Sequence, residues 1–300
     1  MSKREILVIS LLIIVFAGAY FLRKRDRVHY SLPKVPEIKT NLIDGITLKW
    51  GKTELKIKKE NGKWVLEPEK LPVKKGFVDT LLDTMKNLKF TALVSESGNY
   101  GVYQLDTKAV DVELYQKGKN VFSLKVGKNS PVLSQTYVLL NGDEKVYQVE
   151  GDLRTKVKKT KEDIVDKRVT DFDYSDAVKL VYNGKEKFAL NLKNGKWYFE
   201  NGKEADGEKV KQVLISLSNL SAADIITDYR DKDFKEPEKS VTVLTDKKIT
   251  LSVYGLKEKD YLCKSTQYPF PFTLTDTVLK TVFKDKKFFE KKEKGKNKKK

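Results

Sequence analysis

Three hundred residues, 39% hydrophobic with 14 Tyr and 14 Phe, supply enough apolar side chain for one large domain or two modest ones. The net charge is +18, but it is concentrated at the ends: residues 284–300 carry net +7 and RKRDR at 23–27 carries +3. The body between is only mildly basic, which argues against a broad nucleic-acid surface, and a single cysteine with a single histidine excludes an internal disulfide, a Cys/His metal cluster and a His-based triad.

After a short leader, residues 1–5, the stretch 6–22 reads ILVISLLIIVFAGAYFL without a charge. Seventeen helical residues span about 25 Å, the short end of what crosses a bilayer, so a single membrane-spanning anchor is expected. The alternative is a cleaved signal peptide, because Ala17-Gly18-Ala19 resembles a cleavage site; the four basic residues that follow at once argue against it. Those residues, Arg23, Lys24, Arg25 and Arg27, outnumber Lys3 and Arg4 on the other flank, and the positive-inside rule taken alone puts the body in the cytoplasm. Residues 23–42, with Pro33 and Pro36, read as a basic and then extended stalk. His29 falls in it as a linker residue.

From residue 43 the pattern alternates. ITLKW at 46–50, ELKIK at 54–58 and KWVLE at 63–67 read as strands, and Asn61-Gly62 between the last two predicts a type I′ hairpin turn. The same four residues, NGKW, return at 194–197 between FALNL and KWYFE. At nearly the same offset Val78, Leu81, Leu82, Met85 and Leu88 fall on Val210, Val213, Leu214, Leu217 and Leu220, each set tracing one face of an amphipathic helix. Farther on, SLKVGK at 123–128 parallels LSVYGL at 251–256, and TYVLL at 136–140 parallels DYLCK at 260–264. Shared order with drifting offset is the mark of tandem duplication. The expected fold is therefore α+β: two mainly antiparallel sheet units, 43–158 and 176–283, each with one packed amphipathic helix, behind a single N-terminal transmembrane helix. DLRTKVKKTKEDIVDKRV at 152–169 reads as a charged helical connector, with the junction at 159–175. Residues 284–300 read as a Lys-rich tail, disordered after Phe289.

Chemistry is sparse. Gly45 and Gly51 are separated by five residues where a phosphate-binding loop needs four, and they lie in a strand–turn–strand setting, so no nucleotide site is expected. Cys263 sits in an alternating strand as a small buried hydrophobe. Asp171/Asp173 and Asp231/Asp233 are close acidic pairs, but among 42 acidic residues such pairs arise by chance and cap neighbouring elements. Tyr268, Pro269, Phe270, Pro271 and Phe272 form the least ordinary string of the body; two prolines in a strand-like run imply an edge, a bulge or an exposed ridge, either core packing or a partner contact. No catalytic, metal or cofactor residues are read.

The NGKW hairpin, Tyr100-Gly101-Val102, Gly127-Lys128 followed by Tyr137-Val138, Val146-Tyr147-Gln148-Val149, and Asp166-Lys167-Arg168 leading to Asp171-Phe172 together resemble the family called domain of unknown function 4340. Tyr103-Gln104-Leu105-Asp106 departs from it, since a proline is expected after the Tyr-Gly segment. The resemblance implies a membrane-anchored body outside the cytoplasmic membrane, encoded beside ABC-2-type exporter permeases and a gliding-motility-like auxiliary subunit. It implies no catalytic residues. The expectation is thus a non-enzymatic accessory protein of the cytoplasmic membrane, single-pass, with protein partners in an ABC-type transport complex and no specific nucleic acid. An alternative is an envelope module that binds anionic lipid or polymer through Arg23, Lys24, Arg25, Arg27 and the tail with Lys298, Lys299 and Lys300; a minor one is an envelope hydrolase using paired carboxylates.

Overall fold

The computed structural model describes residue 9 and residues 11–20, 31–131 and 134–291. Residues 11–20 form a helix, α1, whose apolar side chains are exposed all round. Among the described residues no helix is long and apolar enough to cross a membrane; the ends of the expected anchor lie outside the described residues. The rest divides into two compact units, with the boundary between Val165 and Asp166.

Unit 1 opens with three strands joined by tight turns, β1 (Gly45–Trp50), β2 (Thr53–Glu60) and β3 (Lys63–Glu67), followed by the two-residue β4 (Leu71–Pro72). Asn61 and Gly62 hold φ of 49° and 81° between paired Glu60 and Lys63, the positive-φ pair that a type I′ turn requires. Helix α2 (Lys75–Lys86) buries Val78, Leu81, Leu82 and Met85, the predicted stripe, while Leu88 past its end is half-buried. Strand β5 (Phe90–Ser95) then runs to the far edge. After a short helix, α3 (Tyr100–Tyr103), strands β6 (Val110–Gln116), β7 (Lys119–Asn129), β8 (Gln135–Leu140) and β9 (Val146–Glu150) fill the sheet between β1 and β5. The order is β4-β3-β2-β1-β6-β7-β8-β9-β5, antiparallel at every pairing.

One face of this sheet is apolar. Ile46, Leu48, Ile57, Val112, Leu114 and Leu124 are at most 2% exposed, while the alternate residues Lys49, Lys56 and Lys125 face water. The segment read as a charged helical connector holds two short helices, α4 (Leu153–Val157) and α5 (Lys161–Ile164), whose Leu153, Val157 and Ile164 are buried. The lysines of the segment face outward while these few apolar side chains pack inward.

Unit 2 repeats the order. Strands β10 (Lys179–Asn183), β11 (Phe188–Lys193) and β12 (Lys196–Phe199) precede α6 (Gly207–Ser218), and β13 (Asp224–Ile225) takes the far edge. Then β14 (Lys239–Leu244), β15 (Lys248–Lys257), β16 (Asp260–Ser265) and β17 (Phe272–Leu274) fill the interior, giving β12-β11-β10-β14-β15-β16-β17-β13. Asn194 and Gly195 have φ of 49° and 75°, the same turn again. Val210, Val213, Leu214 and Leu217 of α6 join Trp197, Val253 and Cys263 in one core.

Unit 2 also continues past 283. Helix α7 (Asp276–Val282) leads to a 3-10 turn over Lys286–Phe289, capped by Asp285, in which Phe289 is fully buried against Tyr182 and Phe188. Two aromatics inside a lysine run were enough to tie that part of the expected tail to the core. Both units are thus largely antiparallel α+β assemblies.

Candidate functional site

The connection between β5 and β6, residues 96–109, crosses the polar face of the unit 1 sheet and gathers most of the strings singled out in that unit. Asn99 and Gln104 take left-handed φ of 60° and 55°, so the chain turns sharply at both ends of α3. The Tyr100 hydroxyl donates to the Glu144 carbonyl at 3.0 Å, and the Tyr103 ring packs on Tyr137 with centroids 4.9 Å apart. Leu105, in the Tyr103–Asp106 stretch that departs from the family pattern, is 3% exposed and lies against Gly127.

Gly127 is required there. A β-carbon at that position would stand 2.3 Å from the Tyr103 carbonyl oxygen, inside any contact distance. On β9, the Tyr147 hydroxyl donates to Asp143 at 2.7 Å; burial, with the neighbouring carboxylate, pushes its pKa up to about 12. Arg154 of α4 completes the arrangement. Its guanidinium donates to the carbonyls of Val126 (3.1 Å), Gly127 (2.7 Å) and Lys108 (2.8 Å), pinning the end of the loop to β7. Partial burial lowers its pKa from the ordinary arginine value. Sequence reading passed over Arg154, because a lone arginine among lysines carries no periodic signal.

Beside the loop is a cleft of about 400 Å³, bounded by Trp50 and Gly51 at the β1–β2 turn and by Leu105, Asp106, Thr107 and Ala109. Strand register sets Lys49, Asp111 and Lys125 side by side across its floor, and the Lys125 ammonium meets Asp111 at 2.8 Å. Such a floor can recognise polar groups. Two carboxylates, Asp106 and Asp111, line the cleft, and that of Asp111 is paired with the Lys125 ammonium.

Unit 2 crosses its sheet differently. The β13–β14 connection presents Phe234, 9% exposed, whose ring contacts Tyr254 and Tyr229 edge-on at 5.1 and 5.8 Å. The Lys264 ammonium stands 3.8 Å from the Phe234 centroid. Gly255, aligned with Gly127 in the sequence parallel, again lies under the crossing chain, 3.3 Å from Glu238 Oε1 to a β-carbon position.

The remaining candidates take structural places. The string Tyr268–Phe272 turns inward: Tyr268, Pro271 and Phe272 are buried, Phe270 is half-buried, and Pro269 alone is exposed. The Tyr268 hydroxyl donates to the Asp166 carbonyl at 2.6 Å, and its ring meets Phe272 edge-on. Asp173 caps the 3-10 turn at Tyr174–Asp176 by accepting from Ser175 N at 2.9 Å, while Asp171 lies 3.8 Å from Arg168. The Asp231 and Asp233 carboxylates lie outside what the structure describes. Gly51, with φ of 54°, is a hairpin-turn residue. Cys263 is fully buried, and burial pushes its thiol up to about 12. Among the described residues no group of three or more His, Cys, Asp or Glu is placed to hold a metal ion. His29, Arg23, Lys24, Arg25, Arg27, Lys298, Lys299 and Lys300 lie outside the described residues.

A search of curated proteins and one of solved structures find no match to this chain. A family model does match, that of the Domain of unknown function (DUF4340), over residues 64–240, from the first strand after the Asn61-Gly62 turn to the start of β14. That span is more than half of the chain, and it contains the β5–β6 crossing, its glycine seat and its arginine pin: the chain belongs to the DUF4340 family.

Proposed function

We propose that this protein is a non-enzymatic accessory protein, anchored in the cytoplasmic membrane by residues 6–22 and holding two duplicated α+β units on the extracytoplasmic side, as a component of an ABC-type export or envelope complex. The observation that carries the reading is α1. Leu11, Ile13, Ile14 and Phe16 point to different sides of that helix and are 61%, 63%, 67% and 71% exposed, so no part of the described chain buries them. Apolar surface all round a helix is stable in hydrocarbon and costly in water. The common strand order of the two units, with the same Asn-Gly turn and the same helical stripe, supports duplication of one unit. In unit 1 the family strings seat a loop on the sheet, which supports a scaffolding role.

The partner follows from the family resemblance, and co-purification tests it. Solubilised gently and captured by a tag after Lys300, the full chain is expected to bring down the permease encoded beside it. Recovery as a lone monomer would sink the reading. Topology has its own test, since the basic flank favours the opposite side. Protease added to spheroplasts should digest the two units while a cytoplasmic control survives.

A second reading, an envelope module that binds anionic lipid or polymer, is favoured by one feature. The chain remains pinned to unit 2 as far as Lys291, whose ammonium meets Glu204 at 2.7 Å, and the basic stretch begins from that fixed point.

A further inference from the structure

We propose that the C-terminal end of unit 2, from Lys284 to Lys291, is a docking surface for anionic lipid headgroups; this rests on the second reading above and gives it a built seat. The seat has an apolar centre. Phe288 is half-buried, stacked edge-on against the fully buried Phe289 at 5.2 Å, and two ammoniums flank its ring: Lys284 at 5.1 Å and Lys209 at 5.4 Å from the centroid. A third, Lys286, stands 5.5 Å from the Phe199 ring, and Lys287 is exposed. Aromatic surface rimmed by long cationic side chains suits a headgroup layer, where the stems and ring meet apolar material and the ammoniums meet phosphate.

Nearby acids offset part of this charge, since Asp285 and Glu186 accept backbone hydrogen bonds at the seat and keep their own charge. Asp285 is used as a cap, accepting from Phe288 N at 2.9 Å, and Glu290 pairs with Lys203 at 3.6 Å. Lys209 is partly engaged by Asp206 at 3.6 Å, which leaves Lys284, Lys286 and Lys287 as the cations of the seat. The seat is also rigidly held. Asp206 N donates to the Phe289 carbonyl at 2.8 Å, Lys286 N donates to Glu186 at 3.1 Å, and Ala205 bridges to Glu290. In the sequence, six more lysines against one glutamate follow in residues 292–300, a net +5. Each lysine near an anionic surface adds attraction that falls off within a Debye length.

The test uses the full chain in nanodiscs of phosphatidylcholine, mixed with separate vesicles of phosphatidylcholine alone or with about 30% phosphatidylglycerol, and reads co-flotation. Expected are binding to the anionic vesicles at about 0.1 M salt, a loss of about tenfold at 0.5 M, and no binding to neutral ones. The double variant K284E/K287E should weaken binding about tenfold, with Lys247→Glu as a distant control and an unchanged melting temperature showing that the fold is intact. Equal binding by the double variant would overturn the proposal. So would loss of all binding on truncation after Lys291 with the seat intact, because the tail alone would then be the carrier. Binding to soluble polyphosphate without binding to vesicles overturns it in favour of a polymer ligand. Co-purification with the permease is independent of every one of these outcomes.

Discussion

The carbonyl oxygen of Tyr103 occupies the space that a β-carbon on Gly127 would need, 2.3 Å away. The β5–β6 crossing can lie on the sheet only because β7 carries no side chain there. Gly127→Ala should therefore destabilise unit 1 by about 3 kcal/mol, as overpacking against backbone does. Gly76→Ala is the control: no atom lies within 4 Å of its β-carbon position, it is inside α2, and a stabilisation of about 0.5 kcal/mol is expected. Urea unfolding of both variants measures the contrast, and equal stability would show that the loop moves freely off the glycine.

The two Asn-Gly turns should behave as independent copies. Gly62→Ala and Gly195→Ala each force a β-carbon onto φ near 80°, at a cost of about 1–2 kcal/mol. Hydrogen exchange should show faster opening of β2–β3 in the first variant and of β11–β12 in the second. An effect confined to one turn would mean that the other is held by its surroundings.

Cys263 should resist alkylation in the folded protein at pH 8 and react on unfolding. Its folded pKa of about 12 lies above the unfolded value of about 8.5, so the neutral thiol's contribution is fully present below pH 8.5 and is lost as pH rises toward 12. Cys263→Ala should flatten stability over that window. Labelling at pH 8 without unfolding would contradict the burial.

Acid should act on the α5 region. The Lys161 ammonium, bonded to Glu69 at 2.8 Å, holds that carboxyl below the ordinary glutamate value, and the Thr160 N–H holds Asp163 below the ordinary aspartate value. Both contributions are present above the ordinary carboxylate pKa and are lost as pH falls through the folded values. Lys161→Met should reduce the pH dependence of stability between about pH 5 and 3. Acid titration of the two proteins compares the slopes, and identical slopes would remove Glu69 from the account.

The turns, the helical stripes and the strand identities were legible because each depends on neighbours a few residues apart. Asn61-Gly62 and Asn194-Gly195 need only their own φ preferences, and Val78 to Met85 or Val210 to Leu217 need only a 3.6-residue period. The family strings were legible as strings, but not as a loop seat: Tyr100, Gly127, Tyr137 and Arg154 lie in four elements that meet only when the sheet closes.

By itself, then, the sequence determined what local chemistry can determine: two antiparallel α+β units, their hairpin turns, and the faces that α2 and α6 bury. Tertiary structure decided the rest. It drew β5 and β13 to the far edges, turned Tyr268 and Phe272 into the core of unit 2, and bound Leu153, Val157 and Phe289 into cores from within lysine-rich runs. The physical reason is that burial is a property of the assembled surface. A few apolar side chains among lysines have nowhere to go until a distant strand supplies the other wall, and no period within the run announces that wall.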